Sequence, residues 1–417
     1  MATPRVVIVG GGFAGLWATR ALRTAPVRIT LVDRGNHHLF QPLLYQVATA
    51  GLSAPDIAAP LRHILRKQRN VEVRMATVTG IDADARRITL DEGDALAFDY
   101  LLLASGATHA YFGNDHWAAH APGLKTLDDA LDLRRKLLLA FERAEAATDP
   151  AERDAWLSFA IVGGGPTGVE LAGTLAEIAR HALRDEFRNI DPSKARVRLI
   201  EAGPRVLSAF PHDLSATAKR QLERLGVEVV LDAPVKDIGA NGYVLGDRFV
   251  AAKTVVWAAG VAASPLGALL GAPLDRAGRV LVQPDLSVPG HPDVFVAGDL
   301  ASLAQADGKP VPGVAPAAKQ MGRLVAHNIR MRLFGGTTQA FAYKDYGNLA
   351  TIGRMAAVVD LGKLRFSGLL AWWFWLTAHV FFLIGFRNRL VVLLNWWWAY
   401  WSYQRAARII LGRDEPA

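Results

Sequence analysis

RVVIVGGGFAG, Arg5 to Gly15, and FAIVGGGPTG, Phe159 to Gly168, are the two stretches on which the reading of this chain turns. In each, an apolar run suited to a buried strand leads into G-x-G-x-x-G, with Gly10, Gly12 and Gly15 in the first and Gly163, Gly165 and Gly168 in the second. One such motif is often no more than a tight turn between a strand and a helix. Two of them, each followed by a strand that ends on a carboxylate, describe a chain that holds two dinucleotides: Asp33 closes Arg28 to Val32, and Glu201 closes Arg196 to Ile200. The reason is joint. Glycines let the backbone approach a pyrophosphate, the helix N-terminus adds partial positive charge, and the carboxylate accepts a hydrogen bond from a ribose hydroxyl. Both carboxylates repel a ribose 2′-phosphate, so NADH rather than NADPH is the expected second nucleotide. Arg205, just beyond Glu201, supplies the counter-argument, since a guanidinium pairs with that phosphate.

The 417 residues include no cysteine. A dithiol relay between a flavin and a substrate therefore cannot be built, and iron–sulfur ligation lacks its usual donors. The eleven histidines are scattered, with only His37 and His38 adjacent, and no metal is expected. The length allows two or three domains with their own cores, and 38 glycines and 21 prolines suit an α/β chain rich in tight turns. The first strand begins by Arg5, which leaves no room for a secretory signal, so the catalytic body is expected in the cytoplasm.

The fold expected is α/β, with two Rossmann-type dinucleotide-binding domains, the second inserted in the first, plus a C-terminal amphipathic helical membrane anchor. Residues 1–125 and 286–345 form the first domain in this reading, 126–285 the second and 346–417 the tail. Strands are expected at Val71 to Thr79 and Tyr100 to Ala104, and a helix at Leu127 to Ala146. The polar segment Thr148 to Asp154 then marks the boundary before the second motif.

Net charge is +8, which could suggest nucleic acid, but its distribution argues otherwise. From Lys363 to Arg413 there are seven basic residues (Lys363, Arg365, Arg387, Arg389, Arg405, Arg408 and Arg413) and no acidic one, with seven of the eleven tryptophans. Indole rings settle at the headgroup level and arginine neutralises lipid phosphate, so an anionic membrane surface fits this segment better than nucleic acid does. Ser367 to Phe386 runs 20 residues without a formal charge, long enough for one membrane span. Two helices lying in the interface suit the pattern better, because Leu390 to Tyr403 is too short to span and Arg387 and Arg389 separate the two stretches.

The double motif is joined by HLFQPLLYQVATAGL (His38 to Leu52), LLLASGA (Leu101 to Ala107), WAAGV (Trp257 to Val261), VFVAGDLA (Val294 to Ala301) and VPGVAPAAKQMG (Val311 to Gly322). Together, in this order, they resemble the type II, non-proton-pumping NADH:quinone oxidoreductases over nearly the whole chain. The resemblance implies that Gly10, Gly12, Gly15 and Asp33 hold FAD, that Asp299 contacts its ribityl and phosphate region, and that Gln41 to Tyr45, Leu44 included, pass near the isoalloxazine. Gly106 and Lys319 fall in motifs that the resemblance assigns to cofactor binding. Gly163, Gly165, Gly168 and Glu201 would hold NADH, with Gly260 beside it. Glu170 matches a family carboxylate near the flavin and the quinone; its bland reading is a first-turn glutamate favoured by the helix dipole. The family's quinone motif commonly carries two glutamines four apart. Here Pro316 stands at the first position and Gln320 at the second, so Gln320 is the expected quinone contact.

The activity implied is hydride transfer from NADH to FAD and two-electron transfer to a membrane quinone, without proton pumping. The place implied is the cytoplasmic face of the inner membrane, attached on one side, with a homodimer as a further option. Three other readings share the architecture. A sulfide:quinone reductase needs cysteines as sulfur carriers, which are absent. A ferredoxin- or rubredoxin-type reductase would pass electrons to an acidic protein and leave the tryptophan-rich tail without a task. An NADH-sensing scaffold would turn over slowly with every acceptor.

Overall fold

The computed structural model describes residues 3–91, 93–305, 308–384, 386–402, 405 and 407–410. Gly385, Tyr403 and Arg413, which figure in the reading of the tail, lie outside them. The chain forms two compact units, one of Met1–Leu39, Ala58–Thr108 and Val261–Tyr346, the other of Phe40–Ile57, His109–Gly260 and Gly347–Ala417. These divisions differ from the expected ones. The break falls at residues 108/109 and 260/261, the segment Phe40–Ile57 goes with the second unit, and the tail is no separate body.

The first unit is built on a six-stranded sheet in the order Ser287–Val288, His291–Val296, Tyr100–Leu103, Arg5–Val9, Arg28–Asp33, Val71–Met75. All its pairs are parallel except the first. Val6 to Val9 are all buried, so this central strand reads as a continuous apolar run rather than an alternating one, as parallel strands covered on both faces do. The helix Phe13–Ala21 packs against the helix Ala315–Leu333. Their backbones touch at Gly322, where a Cβ would lie 2.1 Å from the Ala14 carbonyl oxygen. The strand expected from Val71 to Thr79 is two strands: Val71–Met75 ends the large sheet, and Val78–Asp82 opens a three-stranded antiparallel one with Arg87–Leu90 and Ala95–Ala97.

The second unit carries a four-stranded parallel sheet in the order Val227–Val230, Arg196–Ile200, Ser158–Val162, Thr254–Trp257. The helix Leu127–Ala146 opens with a capping box, the Thr126 hydroxyl accepting from the Asp129 N–H and the Asp129 carboxylate from the Thr126 N–H. Thr148 to Asp154 is not a linker: Pro150–Trp156 is a helix, its first N–H groups capped by the Asp149 carboxylate. The helix Pro166–Glu177 continues as a π turn, Ile178–Ala182. It lies so close to the strand Asn348–Gly353 that a Cβ at Gly173 would meet the Ile352 carbonyl oxygen at 1.6 Å.

That strand pairs with Ala356–Asp360 and Arg365–Ser367 to open the tail, which ends in the helices Leu369–Phe382 and Phe386–Ser402. The 14-residue first helix is about 21 Å long at 1.5 Å per residue, short of the roughly 30 Å hydrocarbon core. Among the described residues no helix is long and apolar enough to cross a membrane, and the single-span reading of Ser367 to Phe386 is corrected accordingly. Ala371, Trp375 and Leu376 turn inward, while Leu370, Trp373, Phe381 and Phe382 are exposed on the first helix and Leu394, Trp397, Trp398 and Trp401 on the second.

Candidate active site

The two glycine loops are copies of one device. Gly10 has φ +105° and Gly163 φ +114°, and at either a Cβ would strike backbone across the sheet, at 2.3 Å from Ala104 and 2.5 Å from Ala258. A Cβ at Gly15 would lie 1.9 Å from the Gly10 carbonyl oxygen, and one at Gly168 1.9 Å from that of Gly163, so these glycines bring each helix against its own strand. The middle glycines differ. Gly12 and Gly165 cap their helices at φ −71°, a conformation open to any residue, and a Cβ there meets nothing within 4 Å. Neither glycine brings a side chain to cap the first turn of its helix. A pyrophosphate needs this combination of room and a helix N-terminus without a capping side chain, and both cradles fit one.

The carboxylates at the strand ends brace these loops. Asp33 accepts from the Gly11 N–H (2.5 Å) on Oδ2 and from the Gly35 N–H (2.7 Å) on Oδ1. Glu201 does the same for Gly164 (2.6 Å) and Gly203 (2.7 Å). Each carboxylate oxygen keeps a second lone pair for a ribose hydroxyl. Arg205 directs its guanidinium to the carbonyls of Phe210 (2.9 Å) and Ser208 (2.7 Å), which engages the group a 2′-phosphate would need. Gly260 follows the strand Thr254–Trp257, and a Cβ there would lie 2.5 Å from the Phe112 ring.

The sequence shows His38 as one of a histidine pair and as the first residue of a family motif, with no role attached. Its Nδ1 lies 2.9 Å from the Gly11 carbonyl oxygen, which only accepts, so Nδ1 carries the hydrogen. Burial brings its pKa down to about 4, so the ring is neutral at physiological pH. Gly11 is thus held at its N–H by Asp33 and at its carbonyl by His38.

In the first unit Gly106 takes φ +70°, and its carbonyl accepts the Ser264 N–H at 3.0 Å. Asp299 sits in the turn Gly298–Leu300, beside Gly313 at the entry to the helix Ala315–Leu333. Pro316 occupies that helix's first turn, where its missing N–H removes no helical bond. Lys319 lies over the Trp17 ring at 4.8 Å, and partial burial lowers its pKa. Gln320 has a structural task that its place in the motif did not reveal. Its Oε1 accepts the Lys344 N–H and its Nε2 donates to the Lys344 carbonyl, both at 2.9 Å.

In the second unit Gln41 begins a 3₁₀ turn and Leu44 opens the short helix Leu44–Ala48, with its side chain buried. Glu170 lies beyond the first turn of its helix and is only 8 % exposed, so the dipole-favoured surface reading does not describe it. Burial drives its carboxyl well above the ordinary range; the Thr351 N–H offsets this in part. Glu177, two turns on, accepts the Arg354 N–H and faces Arg405 at 3.3 Å, both side chains 13 % exposed. Arg405 also donates to the Thr49 carbonyl (3.2 Å). Nothing in local sequence announced this pair, whose members stand 228 positions apart.

Residues 4–322 match the pyridine nucleotide-disulphide oxidoreductase family, and 346–401 match the NDH2 C-terminal domain. The type II NADH:quinone oxidoreductase Ndh of Mycobacterium tuberculosis is 46 % identical over 416 residues, covering 96 % of this chain and 89 % of that one. The mitochondrial internal alternative NAD(P)H-ubiquinone oxidoreductase A1 of Arabidopsis thaliana is 31 % identical over 94 % of this chain and 83 % of its own. In fold, the chain superposes on the solved NDH2 of Plasmodium falciparum in complex with NADH with TM-score 0.89 at 19 % identity, over 99 % of this chain and 100 % of that one. Twin glycine cradles without a thiol, joined to a tail of this type and to relatives this similar along the whole length, make the chain a member of the type II NADH:quinone oxidoreductases within the pyridine nucleotide-disulphide oxidoreductase fold.

Proposed function

We propose that this chain oxidises NADH through a bound FAD and passes two electrons to a membrane quinone without moving protons across the membrane. The observation that carries the reading is the pair of dinucleotide cradles in a chain with no cysteine: the chain holds two nucleotides and no dithiol to take the electrons further, so the acceptor must draw them from the flavin itself. FAD, when bound, supplies the chemistry, accepting a hydride from nicotinamide and returning two electrons.

The chain's residues divide the remaining work. Gly10, Gly12, Gly15 and Asp33 hold FAD, with Gly106, Asp299, Gln41, Leu44 and Lys319 as further contacts. Gly163, Gly165, Gly168 and Glu201 hold NADH beside Gly260, and Glu201 with the engaged Arg205 sets the preference for NADH over NADPH. Glu170, whose carboxyl burial drives well above the ordinary range, serves as proton donor to the quinone oxygen. Gln320 keeps a second amide N–H and a second oxygen lone pair beside its two bonds to Lys344, and these are what it offers a headgroup.

The exposed aromatic face of the tail helices, with basic residues beside it, docks the enzyme on one leaflet of an anionic membrane, the cytoplasmic face of the inner membrane. A second copy of the chain is the other candidate for that face, and sedimentation in detergent reads it. The decisive assay follows flavin absorbance in the detergent-solubilised, full-length protein. NADH bleaches it, NADPH does so far more slowly, and a short-chain ubiquinone restores it. A flavin that NADH reduces and quinone leaves reduced turns the reading towards a protein acceptor.

A further inference from the structure

Tyr45 is buried, 4 % exposed, and the groups whose charge bears on its phenol are Glu170, Glu177 and Arg405. Its hydroxyl accepts a hydrogen bond from Gln46 Nε2 at 2.9 Å. Chemistry dictates the sense of that bond. The Trp396 indole N–H, which can only donate, meets Gln46 Oε1 at 2.7 Å, so the amide oxygen faces the tail helix Phe386–Ser402 and the amide nitrogen faces the phenol. Tyr45 must therefore accept from Gln46, and its own hydrogen is left to give elsewhere.

Among the described residues that hydroxyl makes no hydrogen bond besides the one from Gln46. Glu177 accepts from the Arg354 N–H on one oxygen and from Arg405 on the other, and no hydrogen bond joins it to Tyr45 among the described residues. Glu170 is the other carboxyl acting on the phenol, and no hydrogen bond joins the two among the described residues. A buried hydroxyl hydrogen with no partner is costly, and a site that is filled only when substrate arrives accounts for it. Trp396 is itself held, its ring 5.5 Å from that of Trp375, and it precedes the exposed Trp397 and Trp398.

We infer that Tyr45 is a further hydrogen-bond donor for the quinone half of the reaction, presenting its hydroxyl hydrogen to an oxygen held at Glu170, and that Gln46 and Trp396 are positioning residues that set its direction from the tail helix. This rests on the function proposed above. It also gives the tail a task besides docking: the helix that meets the lipid orients a donor at the site.

The test uses full-length, FAD-loaded protein in detergent and rapid mixing, with flavin reduction by NADH and flavin reoxidation by a short-chain ubiquinone recorded as separate steps. Tyr45→Phe removes the donor. Gln46→Glu still accepts from Trp396 but offers the phenol an acceptor, so the hydroxyl turns its hydrogen back onto position 46. Trp396→Phe keeps the ring and frees the amide to flip. Each substitution is expected to slow reoxidation about tenfold, the factor one hydrogen bond supplies, while flavin content and reduction by NADH stay as in the wild type. The double variant Tyr45→Phe/Gln46→Glu is expected to be no slower than Tyr45→Phe, because both remove the same bond.

Multiplying defects in the double variant, wild-type reoxidation in Trp396→Phe, or equal slowing of both steps overturns the inference. If Gln46→Glu fails to fold, Tyr45→Phe and Trp396→Phe carry the test between them. A wild-type flavin that quinone does not reoxidise removes the proposed function and this inference with it, a result visible before any variant is made.

Discussion

Gly12→Ala and Gly165→Ala form a matched pair that assigns each nucleotide to its loop. Both glycines have φ −71° and lie in extended backbone that alanine adopts without strain, and a Cβ at either meets no protein atom within 4 Å. The substitutions should leave the protein without its nucleotides within about 1 kcal/mol of the parent, the small entropic gain of Gly→Ala offsetting the poorer helix cap. The new methyl projects into the open cradle where the pyrophosphate must approach the helix N–H groups. Lengthening one hydrogen bond to a charged group is worth about 1.5–3 kcal/mol, which is roughly 10- to 150-fold in dissociation constant. Gly12→Ala should therefore purify with little flavin, take it up only at high added FAD, and lose about 2.7 kcal/mol of the stabilisation that saturating FAD gives if binding weakens to a hundredth. Gly165→Ala should stay yellow, with normal flavin content, and show a KM for NADH raised by a similar factor. Flavin absorbance per protein, FAD titration by fluorescence quenching and steady-state NADH kinetics read all of this. Flavin loss in Gly165→Ala with retention in Gly12→Ala would reverse the assignment of the loops. Retention and normal KM in both would refute the claim that the open space above these caps is where pyrophosphate sits.

Burial raises the Glu170 carboxyl well above its ordinary value, so above the ordinary carboxylate range the folded chain keeps a proton that the unfolded chain has released. That stabilisation is complete at lower pH and is lost as pH rises through the raised value; thermal denaturation across pH should show the fall, and Glu170→Gln should flatten it. Arg405→Met strands the Glu177 carboxylate in its buried place and should destabilise by about 3–5 kcal/mol. The double variant with Glu177→Gln should recover part of this, and chemical denaturation of all three measures the difference. Replacing Trp397, Trp398 and Trp401 by serine should weaken cosedimentation with anionic vesicles strongly while flavin content is unchanged; unchanged vesicle binding would exclude this face as the docking surface.

What the sequence disclosed is what neighbouring residues decide among themselves. The glycine loops could be read because the sterics of Gly10 and Gly15 involve a few adjacent elements, and Asp33 and Glu201 because each ends the strand that pairs beside its loop. The helix Leu127–Ala146 was legible to the residue, since its capping box and apolar spacing are local. Pro150–Trp156 had a signal that was passed over, an Asp cap followed by Pro at the first helical position. Other features had none. Gln320 meets Lys344 24 positions away, and Arg405 reaches Glu177 only after the chain has passed through both tail helices. Composition likewise allowed a 20-residue apolar span, but the first tail helix stops at Phe382.

The contact between Gly173 and Ile352 bears on how a water-soluble form of this enzyme can be cut. Ending the chain before Asn348, beyond the last of the quoted motifs, would strip the strand that seals the Glu170 helix and leave a glycine-floored groove open to water. A stop after Ser367 keeps that strand and its two partners but removes, with the aromatic helices, the Trp396 indole that orients Gln46 and the Arg405 guanidinium that faces Glu177. The residues that react and those that attach are therefore interleaved within the C-terminal domain rather than parted at its start.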